Sequence, residues 1–205
     1  MNYDKLNFSS PVWKTLQGFS IGMGIQMKGS GRLETVRELV IKAKEGDTTA
    51  FSELYQQVYK DMYRYSYYML ENRQEAEDIV SDTVMEVYQD IGKLRENEKF
   101  RAWVFKILSN KCRKRRKQLA EKNLSLDDEA VNHDLKTVNE YEKEQDLKRA
   151  FEDLTPEERN LVSMAVFGGY KSREIGELMN MKAATVRSKI SRAFAKMQKR
   201  MEVQL

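Results

Sequence analysis

Residues 172–201 read SREIGELMNMKAATVRSKISRAFAKMQKRM. Apolar residues recur at helical spacing on both sides of a short break at Asn180, Met181 and Lys182, which predicts two helices, roughly Ser172 to Met179 and Ala183 to Met201, in helix-turn-helix arrangement. In the second helix Val186, Ile190, Ala193, Phe194, Met197 and Met201 form the inward stripe. Lys182, Arg187, Lys189, Arg192, Lys196, Lys199 and Arg200 meet no acid between Leu178 and Met201, a local charge of +7. Thr185, Arg187, Ser188, Ser191 and Arg192 then fall outward near the helix start. That is where a helix-turn-helix offers side chains to base edges in the major groove while cations such as Lys182 hold phosphates. The alternative is a helix-turn-helix used only for packing.

Upstream, Thr155-Pro156-Glu157-Glu158 is a helix start with a threonine cap, proline in the first position and a glutamate returning to the cap, and Gly168-Gly169 is the matching stop. Between residues 118 and 146 the apolar spacing becomes irregular. Nine acids there meet only Lys122, Lys136 and Lys143, so the segment nets −6 and reads as an acidic linker.

The residues before the linker predict four more helices, with no proline between Pro11 and Pro156 and no strand-length alternation. The first runs from about Leu33 to Lys44 and stops at Gly46. The second, capped by Asp47 or Thr48, buries Ala50, Phe51, Leu54, Tyr55, Val58, Tyr59, Met62, Tyr65, Met69 and Leu70. The third opens on an Asn72/Glu75 capping-box pattern, carries Ala76, Ile79, Val80, Thr83, Val84, Val87 and Ile91 inward, and ends at Gly92. The fourth starts near Asn97 and turns Phe100, Trp103, Val104, Ile107, Leu108 and Cys112 to the core.

The expectation is an all-α chain of two helical domains, a four-helix unit at 33–117 and a helix-turn-helix unit at 147–205, joined by the linker 118–146. Residues 1–32, broken by five glycines and without a helical stripe, are expected to be a mobile extension, with Met27 an alternative natural start.

Charge is segregated along the chain, which hides behind a net +4 from 36 Lys+Arg and 32 Asp+Glu. Lys111, Arg113, Lys114, Arg115, Arg116 and Lys117 place six cations in seven positions of the fourth helix, a density suited to phosphates. Phe100, Trp103 and Phe105 enter the same helix beside Arg101 and Lys106, and aromatics beside cations are what single-stranded bases stack on. Phe100 and Trp103 also lie on the apolar stripe, so a core role competes with stacking.

The third helix has the opposite sign, with seven acids and one cation between Glu71 and Asp90, and suits a basic protein partner. Asp78 and Asp82, four apart on one face, would be the seed of a Mg²⁺ site, but no histidine or further carboxylate cluster supports one. No metal, cofactor or catalytic residue is therefore expected. A single cysteine, Cys112, excludes an intrachain disulfide, and His133 is the only histidine. Cys112 continues the inward series and is expected to be inert rather than a thiolate sensor. No apolar run reaches the roughly 20 residues of a spanning helix, so membrane insertion is not expected and a cytoplasmic location fits.

The order of these pieces resembles the extracytoplasmic-function group of the sigma-70 family of bacterial RNA polymerase subunits, over about Leu33 to Met201. Gly46-Asp47, Ala50-Phe51 and Leu54-Tyr55 are similar to the family's first conserved helix. Ala76-Glu77-Asp78-Ile79-Val80-Ser81-Asp82-Thr83 resembles its polymerase-docking helix. Phe100-Arg101-Ala102-Trp103-Val104 with Ile107 and Asn110 resembles the segment that opens and reads the -10 element. Leu154-Thr155-Pro156-Glu157-Glu158-Arg159, Ile175-Gly176-Glu177-Leu178 and Thr185-Val186-Arg187-Ser188-Lys189-Ile190 with Arg192-Ala193 resemble the -35-reading domain.

The resemblance implies a protein that binds core RNA polymerase and promoter DNA and starts transcription. Glu77, Asp78, Ser81, Asp82 and Glu86 would dock on the clamp coiled coil. Phe100, Trp103, Lys106, Asn110, Lys111, Arg113 and Lys114 would address the -10 strand, and Lys182, Thr185, Arg187, Ser188, Ser191 and Arg192 the -35 element. An anti-sigma factor is a further partner that it admits. The chain departs from the family pattern at Lys114, where an acid is frequent, at Lys171 and Lys182, where small hydroxyl caps are usual, and at Asn180, where glycine is usual. The rival readings are a stand-alone helix-turn-helix regulator and a metal-dependent nuclease.

Overall fold

The computed structural model describes residues 34–123 and 147–202. The expected mobile extension 1–32, and residues 124–146 of the expected linker with His133, lie outside them. Among the described residues the regular structure is helical, without a strand, and falls into one unit on each side of 124–146.

The N-terminal unit contains α1 (Val36–Lys44), α2 (Thr48–Leu70), α3 (Arg73–Asp90) and α4 (Phe100–Asn123), with single 3₁₀ turns at Ile91–Lys93 and Asn97–Lys99. Each of the first three helices starts on a side chain that satisfies orphan N–H groups. Thr35 accepts from Glu38 N–H at 3.3 Å while the Glu38 carboxylate accepts from Thr35 N–H at 2.8 Å. Asp47 accepts from Thr49 and Ala50 at 2.9 and 3.0 Å. Asn72 accepts from Glu75 N–H at 3.0 Å, but the return half of the expected box does not form, because the Glu75 carboxylate lies 2.7 Å from Arg115 on α4.

Two helix ends differ from expectation. Gly92 lies inside the 3₁₀ turn after α3 has already ended at Asp90. α4 runs on through Asn123, past the Lys117 boundary expected from charge. Gln118, Leu119, Ala120, Glu121 and Lys122 are all good helix formers, so a change in charge does not stop the helix.

The core of this unit joins Leu39 and Val40 of α1, Leu54, Met62 and Tyr65 of α2, Ala76 and Val80 of α3, and Phe105, Leu108 and Cys112 of α4, all with almost no exposed surface. Tyr65 meets Phe105 edge to face at 5.8 Å. The expected stripe of α2 is too wide: Tyr59 is 45% exposed, and Phe51 and Tyr55 are half-buried. Tyrosine has an apolar body and a polar tip, so it suits the rim of a core as well as its centre.

The C-terminal unit comprises a helical segment at 147–152 followed by α5 (Pro156–Val166), α6 (Ser172–Met179) and α7 (Ala183–Glu202). The Thr155 box closes as read, with Thr155 accepting from Glu158 N–H at 3.3 Å and Glu158 accepting from Thr155 N–H at 2.9 Å. Arg159 is buried and donates to the Phe151 carbonyl at 3.1 Å, which ties α5 to the preceding segment.

The turn between α6 and α7 rests on two residues. Asn180 takes the left-handed conformation at φ 53°, as its short amide side chain tolerates. A Cβ on Gly176 would sit 2.5 Å from the Met181 carbonyl, which accepts no such approach, so only glycine lets the chain double back this tightly. Lys171 has no acceptor with which to cap α6, and Glu174 compensates by accepting from Lys171 N–H at 2.7 Å. Leu147, Phe151, Leu161, Phe167, Ile175, Val186, Ile190 and Met197 fill the core of this unit.

Candidate nucleic-acid interface

On α7 the geometry follows the sequence closely. Lys182, Thr185, Arg187, Ser188, Ser191 and Arg192 are all exposed, on the side away from buried Val186, Ile190, Ala193 and Met197. The charge of +7 is not all available, however. Lys189 forms an ion pair with Glu157, Lys196 lies 2.7 Å from Glu158, and Arg200 lies 3.7 Å from Asp153. These partners were invisible to a local charge count because Glu157 and Glu158 lie 32 and 38 residues upstream of the lysines they meet. Burial pushes the Glu158 carboxyl up, but hydrogen bonds from Lys196 and Thr155 outweigh it and hold the group below its ordinary value. The cationic flank of α7 therefore fixes the helix onto α5, and its exposed face keeps Arg187 and Arg192 for an outside partner.

The basic tract of α4 divides in the same way. Lys106, Asn110, Arg113, Lys114 and Lys117 are exposed and recur every three or four residues, forming one outward stripe, with Arg113 donating to the Asn110 side-chain Oδ1 at 2.9 Å. Lys111 turns instead toward α3 and lies 2.8 Å from Glu86, and one turn farther along α4 Arg115 pairs with Glu75. Of the aromatics considered for stacking, Phe100 is 2% exposed and Phe105 is fully buried. Phe100 lines a small cavity with Val58 and Met62 of α2 and Val87 of α3, so in the free chain it takes the core role that competed with stacking. Arg101 is occupied as well, 2.6 Å from Asp61 and stacked 5.0 Å over the Phe105 ring. Trp103, half-buried at the edge of the stripe, keeps part of its indole accessible.

On α3, Glu77, Asp78, Ser81 and Asp82 are exposed and Glu86 is half-buried. Glu77 is paired within the helix to Arg73 at 2.9 Å, and Asp90 to Lys93 at 2.7 Å. Sequence reasoning missed two neighbours: Met85 is 62% exposed and Tyr88 is 47% exposed, its ring edge-on to Phe51 at 4.9 Å. Met85 falls outside the inward series of α3, and that periodicity was the available signal. The result is a face with carboxylates at one end and apolar side chains at the other. Among the described residues no group of three or more His, Cys, Asp or Glu side chains converges as metal ligands would.

Cys112 is buried, with its thiol 3.6 Å from the Ser66 hydroxyl. Burial, opposed by that hydrogen bond, pushes the thiol from 9.0 up to about 12. A raised value means that the neutral thiol stabilises the native state fully below pH 9 and that this contribution is lost as the pH rises toward 12. The native protein is expected to resist thiol reagents at neutral pH and to react at the ordinary rate only in denaturant. Equal rates in the two conditions would show an accessible thiolate.

The family profile described as Sigma-70 region 2 matches residues 54–121, the body of the N-terminal unit, and that described as Sigma-70, region 4 matches residues 144–197. The chain belongs to the sigma-70 family. Within it the chain is a sigma factor of the extracytoplasmic-function group, acting in promoter recognition and transcription initiation, and this is not a known enzyme family.

Its relatives include the RNA polymerase sigma factor SigV of Bacillus subtilis, 27% identical over 150 residues, with 71% of this chain and 85% of the relative covered. The ECF RNA polymerase sigma factor SigW of the same organism is 24% identical over 180 residues, covering 77% and 91%. Among solved structures, the sigma factor RpoE in complex with the anti-sigma factor NepR from Bartonella quintana superposes with a TM-score of 0.65 at 19% identity, covering 77% of this sigma factor and all of that chain. CnrH in complex with the cytosolic domain of CnrY gives 0.58 at 20% identity, covering 84% and 100%. At these identities the structural matches support the fold alone. No helix among the described residues is long and apolar enough to cross a membrane.

Proposed function

We propose that this sigma factor divides its work among three surfaces. Asp78, Ser81 and Asp82, flanked by Glu77 and Glu86 and continued by Met85 and Tyr88, dock on the basic clamp coiled coil of core RNA polymerase. Trp103, Lys106, Asn110, Arg113 and Lys114 address the melted -10 strand, with Lys111 in reserve behind them. Lys182, Thr185, Arg187, Ser188, Ser191 and Arg192 read the -35 element. In this reading the N-terminal unit, which keeps residues 118–123 of the expected linker in α4, and residues 147–205 are the working domains, and the rest of the expected linker is an acidic tether that passes through the polymerase. The protein acts in the cytoplasm without catalytic chemistry of its own. An anti-sigma factor fits the same reading, since RpoE of Bartonella quintana was solved with one.

The observation that carries the proposal is the exposed arc at the start of α7, where Arg187 and Arg192 project from a helix anchored on its other flank by three ion pairs. A stand-alone helix-turn-helix regulator would use that arc too, but would leave the exposed acidic and apolar face of α3 without a task.

The test contrasts two arginine or lysine truncations on one helix. Arg187→Ala is expected to cost about 1–3 kcal/mol on the preferred -35 sequence and to relax preference at one position. Lys199→Ala, farther along the helix, should weaken binding evenly across sequences and lower the salt slope by about one. Binding of the polymerase complex to a library of -35 sequences reads both, and indistinguishable profiles would contradict the assignment of Arg187.

A further inference from the structure

The three acids that meet cations of α7 are held in different ways. Glu158 is pinned from two sides, accepting from Thr155 N–H at 2.9 Å and from Lys196 at 2.7 Å, and only 14% of its side chain is exposed. Asp153 meets Arg200 near the far end of the helix, at 3.7 Å. Glu157 takes no part in the cap: among the described residues its carboxylate accepts from Lys189 alone. Its side chain is 45% exposed, whereas Lys189 is 28% exposed. Lys189 follows Thr185 by four residues and precedes Arg192 by three, so all three share the flank of α7 that borders α5. The pair therefore sits at the edge of the arc proposed to read the -35 element.

We propose that Glu157 is a specificity-determining residue of that surface: by holding Lys189 it withholds one cation from phosphates and leaves the choice of DNA to Arg187, Arg192 and their neighbours. A released lysine is a flexible point charge that takes any phosphate in reach. Each such contact adds about 0.9 to the logarithmic salt slope and stabilises every sequence alike. Base contacts, by contrast, fix the depth and rotation of α7 in the groove, and on the preferred element they leave a cation on the α5 flank turned toward the protein. On other sequences no base contact fixes the helix, so it can turn until a phosphate meets Lys189. Freeing Lys189 thus favours wrong complexes over the right one. The exposed carboxylate adds to the discrimination, because it repels phosphates of a duplex that approaches along this flank.

This inference rests on the -35 assignment of α7, and the experiment separates its failure from that of the assignment. The full chain is titrated, over a series of salt concentrations, with a short duplex carrying the preferred -35 sequence and with a duplex of the same composition in scrambled order. Glu157→Gln should bind the scrambled duplex roughly three- to tenfold more tightly, with a salt slope steeper by about 0.9, and should gain clearly less on the preferred one. Adding Lys189→Gln should cancel the gain, since the double variant restores the charge of the intact pair. Glu98→Gln, which removes the same charge from the pair with Arg37 in the N-terminal unit, controls for net charge. Equal tightening on the two duplexes, a gain that survives Lys189→Gln, or the same gain from Glu98→Gln would overturn the role of Glu157. Those results leave the -35 assignment standing if Arg187→Ala still loses preference for the element. If Arg187→Ala discriminates as well as the unsubstituted chain, the assignment falls and the role of Glu157 falls with it.

Discussion

Asp82→Arg is expected to weaken binding to core RNA polymerase by at least tenfold while leaving the helical content and melting temperature of the protein unchanged. Asp82 is exposed on α3 and makes no ion pair with another described residue, so its replacement breaks nothing inside the fold. At a docked interface the situation reverses. Losing one partner of a close charge pair costs roughly 2–5 kcal/mol, and an arginine adds repulsion against a basic surface. Glu77, already paired with Arg73 one turn along the same helix, should contribute less, so Glu77→Gln should show a smaller loss. Titration of labelled protein against core enzyme checks both. Full affinity in Asp82→Arg would remove this face from the docking surface.

Phe105→Ala is expected to cost about 3–5 kcal/mol of stability in the N-terminal unit, a large share of the 5–15 kcal/mol typical of a domain. The ring is fully buried against Tyr65 and roofed by the Arg101 guanidinium, which is itself held by Asp61, so truncation opens a cavity and undoes a stacked cation. Trp103→Ala should behave differently. Its half-buried indole contributes less to stability, but its loss should lower affinity for single-stranded DNA by about 1–3 kcal/mol, as truncating a stacking platform does. Denaturant unfolding combined with single-strand binding separates the two variants. A stable Phe105→Ala that fails only in DNA binding would reverse the roles given to these aromatics.

These two predictions also mark how far the sequence could be read. Helix starts were legible where chemistry is local: Thr155 caps through a glutamate three residues on, Asp47 caps directly, and Asn180 supplies the left-handed turn, whereas the Thr35–Glu38 box went unread and the first helix starts at Val36 rather than near Leu33. The inward stripe of α7 and the exposed arc opposite it followed from a period of about 3.6 residues. Contacts between distant segments were not legible. The Lys111–Glu86, Arg115–Glu75 and Lys196–Glu158 pairs depend on how helices cross, and a charge count along the chain sees only unpaired cations. Phe105 was not legible as a core residue for a related reason. It sits between cations in sequence, but the helix turns it about 100° from Lys106 and into the α2 interface. The exposed Met85 and Tyr88 were missed because acidic neighbours drew the reading toward charge alone.

As a sigma factor, this chain gives core RNA polymerase its promoter choice. The direct measurement is transcription in vitro from genomic DNA by core polymerase with and without the purified protein, with transcript 5′ ends mapped. A set of starts that appears only with the protein is expected. Each should be preceded by paired -10 and -35 sequences at constant spacing, and the -35 preference should broaden in Arg187→Ala. Absence of protein-dependent starts, together with tight sequence-specific binding of the chain to duplex DNA without polymerase, would contradict it and establish a stand-alone helix-turn-helix regulator instead.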